Sequence, residues 1–385
     1  MTAPRDPAAV LRAARELAPA IRKAAPDHEA ARRLGDETLA AMRRSGLFGI
    51  LLPAAYGGDE LPLPAAMAVI EEVSAADGAA GWCLLKGAAI NQMAGYLPES
   101  AAREIWADPT IVTGGSLNPR GRAVEVPGGY RLTGRWDWGT GVAHSAWVVG
   151  GAVVVGAADG SPRPGPAAGV PETKALFFPR ADTVVHDTWR AAGMRATASG
   201  EFEVRDLFVP AERTFDGMVA RPVSGGPNYA IPYIAQAMVP HAAVAVGLAR
   251  GALADFRELA RTKVPLLGTS RLFEQDRVAD GVGRAEAMVH AARATVLAAV
   301  DAAWASHADR GRAEEDRLVH LSLSAVYATE LCVAAVDVVH SLAGGSAVDE
   351  GSPLQRAFRD IHVAATHFLV RTDKYLLGGR ALLGP

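Results

Sequence analysis

The sequence predicts a mostly helical protein with a central β-domain, because the spacing of its apolar residues changes twice along the chain. Apolar residues recur at helical spacing over the first hundred residues or so. Short apolar runs separated by glycine and proline follow, as in strands, and long helical patterns then return to the end. The predicted domains are an N-terminal helical domain at 1–110, a middle domain of antiparallel strands at 111–225 and a C-terminal four-helix bundle at 226–385.

The N-terminal domain is predicted from stripes of apolar residues. Val10, Ala14 and Ile21 lie on one face of a first helix. A helical pattern resumes over 62–74, and an apolar helix covers 81–97, where Pro98 closes it.

The middle domain is predicted from apolar runs such as Tyr130–Leu132, Lys174–Phe178 and Glu201–Val204. The stretch Val148–Ala158 is too short to cross a membrane and indicates a buried strand. In the bundle, long helices are expected at 242–261, 275–307 and 317–343. A last helix is expected to run from Pro353, with Ser352 as its N-cap, towards Thr372.

Composition and charge exclude several classes of protein. A net charge of -3 gives no electrostatic reason to bind nucleic acid or an anionic membrane. No signal peptide and no apolar run of membrane-spanning length is recognised, and no motif indicates a metal site. Cys83 and Cys332 form no CxxC unit, which fits a reducing, cytoplasmic location, although a single disulfide stays open.

Three short motifs carry most of the chemical information. They are Gly134–Gly141 (GRWDWGTG), Trp189–Ser199 (WRAAGMRATAS) and Gly344–Ser346 (GGS). Together with the order of the domains, these motifs resemble the acyl-CoA dehydrogenase superfamily over nearly the whole chain. The resemblance implies that family's fold, with a flavin held between the strands and the bundle without a Rossmann motif.

The first two motifs supply flavin contacts that the resemblance implies. Trp138 would cover the isoalloxazine, and Thr140 would hydrogen-bond near flavin N5. Alternation along a strand would put both side chains on one face; the alternative is a strand with core tryptophans and a surface threonine. Trp189 would lie against the benzenoid side of the flavin. The other contacts predicted in the second motif are Arg195, Thr197 and Ser199.

Two sites in the bundle are also predicted to reach a flavin. Arg261 occupies the place of the family's phosphate-binding arginine, and a guanidinium suits paired phosphate oxygens. Gly344 and Gly345 resemble the turn through which one subunit touches its neighbour's flavin. The alternatives are a solvated charge for Arg261 and a helix C-cap for the glycines. A shared flavin site implies a homo-oligomer, with a tetramer preferred to a dimer.

Within this family, a dehydrogenase needs a carboxylate base to remove a proton from its acyl thioester. The most common position of that base falls on Gly351 here, one residue after Glu350, and another branch's position falls near Asp255. An acyl-CoA or acyl-carrier-protein dehydrogenase using either carboxylate is therefore one alternative. A non-catalytic ligand-binding homologue is another.

The monooxygenase branch is the closer resemblance. Its signature continues through Ser352–Arg356 and Arg359–Asp360 to a histidine eight residues after that arginine, His367. The resemblance implies that His367 holds a flavin C4a-hydroperoxide, since imidazole donates or accepts protons near neutral pH. His362 is the second candidate, on a different helix face. We therefore predict a monooxygenase that receives FMNH2 or FADH2 from a separate flavin reductase and oxygenates a small organic substrate.

The predicted substrate pocket lies between the N-terminal helices and the β-domain. The family's phenol hydroxylases carry a base histidine at the place of Ile90, so its absence favours N-oxygenation, S-oxygenation or attack on an electron-rich ring such as indole. Asn91 could orient a polar substrate instead. The partner hydroxyl of that histidine is retained as Ser116, and Trp82 and His144 are the other predicted pocket residues.

Overall fold

The computed structural model describes residues 3–166, 169–217, 220–266, 268–310 and 313–384. Within these ranges a helical region comes first, a β-sheet follows, and a helical bundle completes the fold.

The N-terminal region contains five α-helices, of which the first four contribute to an apolar core shared with the bundle and the fifth packs in a second apolar cluster with the sheet. Asp6 caps the first helix through its carboxylate, which accepts a hydrogen bond from the Ala8 N–H. Asp77 caps the fourth helix in the same way, by accepting from the Ala79 N–H at 3.0 Å. Every residue of this fourth helix is buried except Lys86, which is half-buried. The helices are α1 Pro7–Ala31, α2 Asp36–Arg44, α3 Leu63–Ala76, α4 Gly78–Gln92 and α5 Glu99–Ile105.

The middle region is a seven-stranded sheet in the order β5-β6-β2-β1-β3-β4-β7. The prediction of purely antiparallel strands is wrong for one pair, because β1 and β3 run parallel. The antiparallel partner β2 occupies the other side of β1, so the chain crosses through 137–146 before it enters β3. The strands are β1 Thr113–Val126, β2 Gly129–Trp136, β3 Trp147–Val155, β4 Thr173–Pro179, β5 Val184–His186, β6 Glu201–Pro210 and β7 Thr214–Phe215.

The core of the sheet is organised around Trp136, which is fully buried. Its ring stacks on Phe202 with a centroid distance of 4.9 Å, and its indole N–H donates to the Gly151 carbonyl at 2.7 Å. Trp136 is therefore the core tryptophan of its motif, and Trp138, two residues later, does not form part of this core.

The bundle contains the longest helices. They are α6 Tyr233–Thr262, α7 Asp276–Arg310, α8 Glu315–Ala343, α9 Pro353–Ala364 and α10 Lys374–Leu383. Pro353 begins α9 as predicted, but the Ser352 side chain makes no capping hydrogen bond. The prediction that this helix reaches Thr372 is wrong, since α9 ends at Ala364 and turns follow it. His367 thus lies on a turn and not on a helix.

Two helical segments, Tyr233–Thr262 and Glu315–Ala347, are long and apolar enough to cross a membrane. The expectation that no apolar segment reaches that length is therefore wrong. This is weak evidence for a membrane, because core helices pass the same test: the apolar window of the first segment is 89% buried inside the protein. The window of the second is only 44% buried, which leaves α8 with an exposed apolar face.

Cys83 and Cys332 are both free and buried. The single disulfide that the sequence left open is thus absent from the structure. Burial raises the pKa of both thiols, so neither is disposed to ionise.

Candidate functional site

A cavity of about 600 Å³ lies where the β-sheet meets α4, α6 and the turn after α9. Its size and its largely apolar walls are those of a small-molecule or cofactor site. The predicted residues that line it are Trp82, Ile90, Ser116, Trp138, Thr140, Trp189, Thr197, Ser199 and His367.

A chain of hydroxyl groups runs along the sheet side of the cavity. The Trp82 indole N–H donates to Thr140 Oγ1 at 3.3 Å, and the hydroxyls of Thr140 and Ser199 are 2.6 Å apart. Ser199 and Thr197 follow at 2.7 Å, and Thr197 donates to the Met194 carbonyl at 2.9 Å. Because the chain ends on a carbonyl, its hydrogens all point one way. Each hydroxyl has used its proton, and its oxygen can only accept from a ligand.

Trp138 reaches the cavity by a different route from the predicted one. Strand β2 ends at Trp136, and Trp138 adopts a left-handed conformation with φ of 58°. The Thr140 N–H closes a tight turn by donating to the Trp138 carbonyl at 2.8 Å. This turn, and not strand alternation, brings Trp138 and Thr140 to one cavity. The indole of Trp138 is 61% exposed, and such strained, exposed residues are common at ligand sites.

Helix α9 holds the Trp189–Ser199 segment against the cavity. The Asp360 carboxylate accepts the Met194 N–H at 2.5 Å, and Arg359 donates to the Ala192 carbonyl at 2.7 Å. Gly193 is packed so closely that a Cβ there would lie 2.2 Å from the Arg359 carbonyl oxygen. The indole of Trp189 then donates to the Met194 carbonyl at 2.9 Å, which fixes its ring at the cavity wall.

Asp360 gives a testable link between this contact and stability. Burial raises the pKa of Asp360 to about 7, against the Met194 N–H bond that lowers it. The pKa of an Asp in the unfolded chain is near 4. Between about pH 4 and pH 7 the folded protein therefore keeps a proton on Asp360 that the unfolded chain has lost. This stabilisation is complete at low pH and is lost as the pH rises through about 7. Asparagine does not ionise, so the free energy of unfolding of Asp360→Asn should not fall over this pH range. At about pH 8 we expect it to exceed that of wild type by ~1 kcal/mol or more.

Urea unfolding of both proteins at about pH 5 and about pH 8 measures this difference. Asp27→Asn, at an exposed position of α1, is the matched control and should leave the pH dependence unchanged. A wild-type stability that rises across this interval while that of Asp360→Asn does not would contradict the prediction.

The lining of the cavity includes a lysine that lies between two histidines. Lys86 Nζ lies 3.0 Å from Nε2 of His241 and 3.0 Å from Nε2 of His367. The His241 Nδ1–H donates to the Ala237 carbonyl at 2.6 Å, so Nε2 of that ring accepts from Lys86. The two imidazoles stack with centroids 4.2 Å apart, and both meet Trp82 edge-on.

The electrostatics of this cluster place the ionisable proton on the lysine. Burial lowers the pKa of Lys86 to about 7. Burial also lowers the pKa of His367 far below its ordinary value, and the nearby Lys86 and His241 lower it further. The pKa of His241 falls for the same reasons, first burial and then Lys86. The sequence predicts near-neutral proton exchange at His367, whereas the group in this cluster whose pKa lies near neutrality is Lys86.

Lys86 and His241 were not predicted as site residues. The available signal was a single charged residue in an otherwise buried helix, since an ionisable group in such a place needs a partner or a function. His241 gives no comparable signal, because its position on α6 is known only once α6 is packed beside α4.

Asn91 does not face the cavity, which corrects its predicted role in orienting a substrate. Its amide N–H groups donate to the carbonyls of Phe48 and Ile111. Its oxygen accepts from the Trp106 indole at 2.7 Å and from the Thr113 hydroxyl at 2.8 Å. All its hydrogen-bonding capacity is used inside the core, so Asn91 joins α4 to the sheet.

His144 and Arg195 are also absent from the cavity wall. His144 has a buried Nε2 without a hydrogen-bond partner, and burial lowers the pKa of its ring to about 4. Arg195 donates to the Ala191 carbonyl at 3.4 Å and lies 3.9 Å from Glu29. Both side chains therefore serve the structure around the cavity in this chain.

Arg261, Gly344 and Gly345 lie together at one end of the bundle, away from the cavity. Arg261 is exposed and pairs with Glu258 at 2.6 Å. Lys263, two residues later, donates to the Ala343 carbonyl at 2.6 Å, which places the glycine turn beside the end of α6. A Cβ on either glycine would meet nothing within 4 Å. One chain alone does not bring these residues to its own cavity.

Neither predicted dehydrogenase base lines the cavity. Glu350 is exposed on the turn before α9. Asp255 is bound to Arg22 at 2.6 Å and borders a separate small cleft. In the part of the chain that the structure covers, no group of three or more His, Cys, Asp or Glu side chains is placed to hold a metal ion.

Comparisons with known proteins agree with this architecture. Residues 8–104 match the family described as acyl-CoA dehydrogenase, N-terminal domain, and residues 239–372 match acyl-CoA dehydrogenase, C-terminal domain. A pigment production hydroxylase of Rhodococcus sp. is 31% identical over 93% of this chain and 91% of its own length. The oxygenase component of an FADH2-dependent resorcinol hydroxylase of Rhizobium sp. is 29% identical over 96% of this chain and 92% of its own.

The comparison of structures gives the same result. XiaF from Streptomyces sp., in complex with FADH2 and glycerol, superposes with a TM-score of 0.91 at 28% identity, covering 98% of this chain and 96% of XiaF. The resemblance inferred from the motifs is thereby confirmed: the chain belongs to the acyl-CoA dehydrogenase family, and its relatives include flavin-dependent hydroxylases.

Proposed function

We propose that this flavin-dependent monooxygenase is the oxygenase component of a two-component system and hydroxylates a small aromatic substrate. The observation that carries the proposal is the cavity itself. It joins aromatic walls and a row of hydroxyls on the sheet side to an imidazole, that of His367, on the bundle side. The solvent-poor setting of that imidazole protects a reactive oxygen species from water.

The residues of the cavity fit a reduced flavin. Trp138 and Trp189 offer flat walls to a tricyclic ring, and Thr140, Thr197 and Ser199 offer hydroxyl oxygens. Since the hydrogens of the hydroxyl chain are all used, these oxygens accept hydrogen bonds, and a reduced flavin can donate from N5–H, which an oxidised flavin lacks. When bound, reduced flavin reacts with O2 and supplies the oxygen atom that is transferred. Two of the relatives are named for FADH2, so reduced FAD is proposed before FMN.

A dehydrogenase is less well supported. Removal of a proton beside a thioester needs a carboxylate within reach of the substrate. No Asp or Glu among the described residues lines the cavity. The titratable side chains that line it include Lys86, His241 and His367, so the carboxylate that this family's dehydrogenases use is missing from the described cavity wall.

The direct test supplies chemically reduced FAD, isotopically heavy O2 and resorcinol to the purified protein. The proposed function predicts a hydroxylated product carrying one heavy oxygen atom, without any reductase present. Incorporation of oxygen from water, or the absence of product together with bleaching of bound oxidised flavin by an acyl thioester, would overturn it. Replacing FAD by FMN in the same assay distinguishes the two cofactors.

We further propose that the protein is a homotetramer located in the cytoplasm, with a separate flavin reductase as its partner. An exposed apolar face on α8 and α10 supports self-association, because such faces are usually covered. The isolated turn of Gly344 and Gly345 beside Arg261 would then meet the flavin of a neighbouring subunit. Light scattering of the purified protein gives the mass that tests this. The large exposed apolar residues of these two helices are Tyr327 on α8 and Leu376, Leu377, Leu382 and Leu383 on α10.

A further inference from the structure

The geometry points to Lys86 as the base that takes the hydroxyl proton of a substrate, and so to phenols as the substrate class of the cavity. The inference rests on the proposed function, because it places the substrate in that cavity. The sequence argued against simple phenols, since Ile90 replaces the expected base histidine. Lys86 lies four residues before Ile90 and therefore on the same face of α4, where it restores a base.

The position of Lys86 along α4 divides the cavity into two parts. Three residues of α4 that line the cavity are spaced four residues apart, which is about 6 Å along a helix: Trp82, Lys86 and Ile90. Trp82 is bonded to the hydroxyl chain of the sheet, whereas Ile90 belongs to an apolar cluster with Met93 and Val149. The apolar part suits the ring of an aromatic substrate, and Lys86 stands at the boundary where a ring hydroxyl would meet it.

The hydrogen bonds around Lys86 leave its amine able to act. His241 is fixed as an acceptor by its own bond to the Ala237 carbonyl, so one N–H of Lys86 is committed to it. A neutral amine then has one further N–H and one lone pair. His367 Nδ1 accepts the Leu369 N–H at 3.4 Å, so its Nε2–H donates to that lone pair, and a phenol that gives its proton to Lys86 takes the place of His367 there. Lys86 is half-buried and lines the cavity, so that this capacity is open to a ligand.

The charges around Lys86 favour the transfer of a proton from a phenol to its amine. The titratable groups packed against it are His241 on α6 and His367 after α9, and both rings stay neutral beside it. Arg371 is a further charged residue in the lining, and in the described part of the chain no carboxylate lines the cavity. In the step, the phenol O–H bond breaks and its proton joins the Lys86 lone pair, which leaves a phenolate beside an ammonium. The phenolate ring is richer in electrons and attacks an electrophilic oxygen more readily.

The test uses flavin-free protein and 4-nitrophenol, whose anion absorbs visible light. Titration with pH gives the ionisation of the bound probe in wild type, Lys86→Met and Lys86→Gln. We expect wild type to lower the pKa of the bound probe by about one to three units below that of the free probe. Both variants should abolish this shift. Lys23→Met, at an exposed position of α1, is the matched control and should behave as wild type.

Folding of the variants is checked by their thermal transitions, which should stay at or above that of wild type because a desolvated amine has been removed. An unchanged probe shift in either folded variant would overturn the inference, as would a wild type that does not bind the probe. These outcomes are independent of oxygen transfer. A protein that ionises the probe but makes no product would instead contradict the proposed function.

Discussion

His367→Ala is expected to lower hydroxylation by about 10²–10³-fold, the range for the loss of one positioned hydrogen-bond donor. The His367 imidazole is held in the cavity by Lys86 at 3.0 Å and lies edge-on to Trp82. On the proposed function this imidazole would donate a hydrogen bond to oxygen activated at a bound flavin, and alanine would remove that bond and leave room for water. The variant should therefore still consume reduced flavin and O2 but release hydrogen peroxide in place of product.

The measurement is the ratio of hydroxylated product to hydrogen peroxide at equal flavin consumption. His362→Ala is the matched control. His362 lies on α9, where Nδ1 donates to the Phe358 carbonyl at 2.7 Å, and it is outside the cavity lining. Equal loss of product in the two variants would mean that His367 acts only through the fold of this segment.

Lys86→Met is expected to lower the rate of phenol hydroxylation by a similar factor, about 10²–10⁴-fold, and to change its pH dependence. The base must be neutral to accept a proton, and burial lowers the pKa of Lys86 to about 7. Below that pH the amine is already protonated, so the wild-type rate should rise as the pH increases through about 7 and then level off. The variant lacks this inflection, because no side chain titrates in its place.

The dependence of the rate on the acidity of the substrate shows whether Lys86 acts as a base or has only a structural role. A phenol that is already ionised at the assay pH needs no base, so the defect of Lys86→Met should shrink as the acidity of the substrate increases. The rates of wild type and variant on a series of substituted phenols measure this dependence. A defect of the same size for every phenol would show that Lys86 acts by packing or charge alone.

The order of the domains and much of the cavity wall could be predicted from the sequence, for a physical reason. Periodicity reports which face of each element is buried, and the motifs around Thr140 and Trp189 fix local turns that depend on a few neighbouring residues. Trp138 shows the limit of this reasoning. Its place in the cavity was predicted from strand alternation, but a left-handed turn puts it there.

The site features that could not be predicted from the sequence depend on contacts between segments that are distant in the chain. Asn91 and Lys86 are both polar residues of one buried helix, and their local sequence does not show which partners each of them meets. Asn91 meets four partners in the core, whereas Lys86 meets two histidines that are 155 and 281 residues away in the chain. Arg261 and Gly344 show the same limit, since their positions outside the cavity follow only from the packing of α6 against α8.

The attachment of α9 has a mechanical consequence. Asp360 ties the helix to the backbone at Met194, and the same helix leads within three residues of its end to His367. Two segments of the cavity lining, those of Trp189 and His367, are thus attached to one helix. A displacement of α9 would therefore move both segments together, so that the position of the imidazole is mechanically coupled to that of the wall around Trp189.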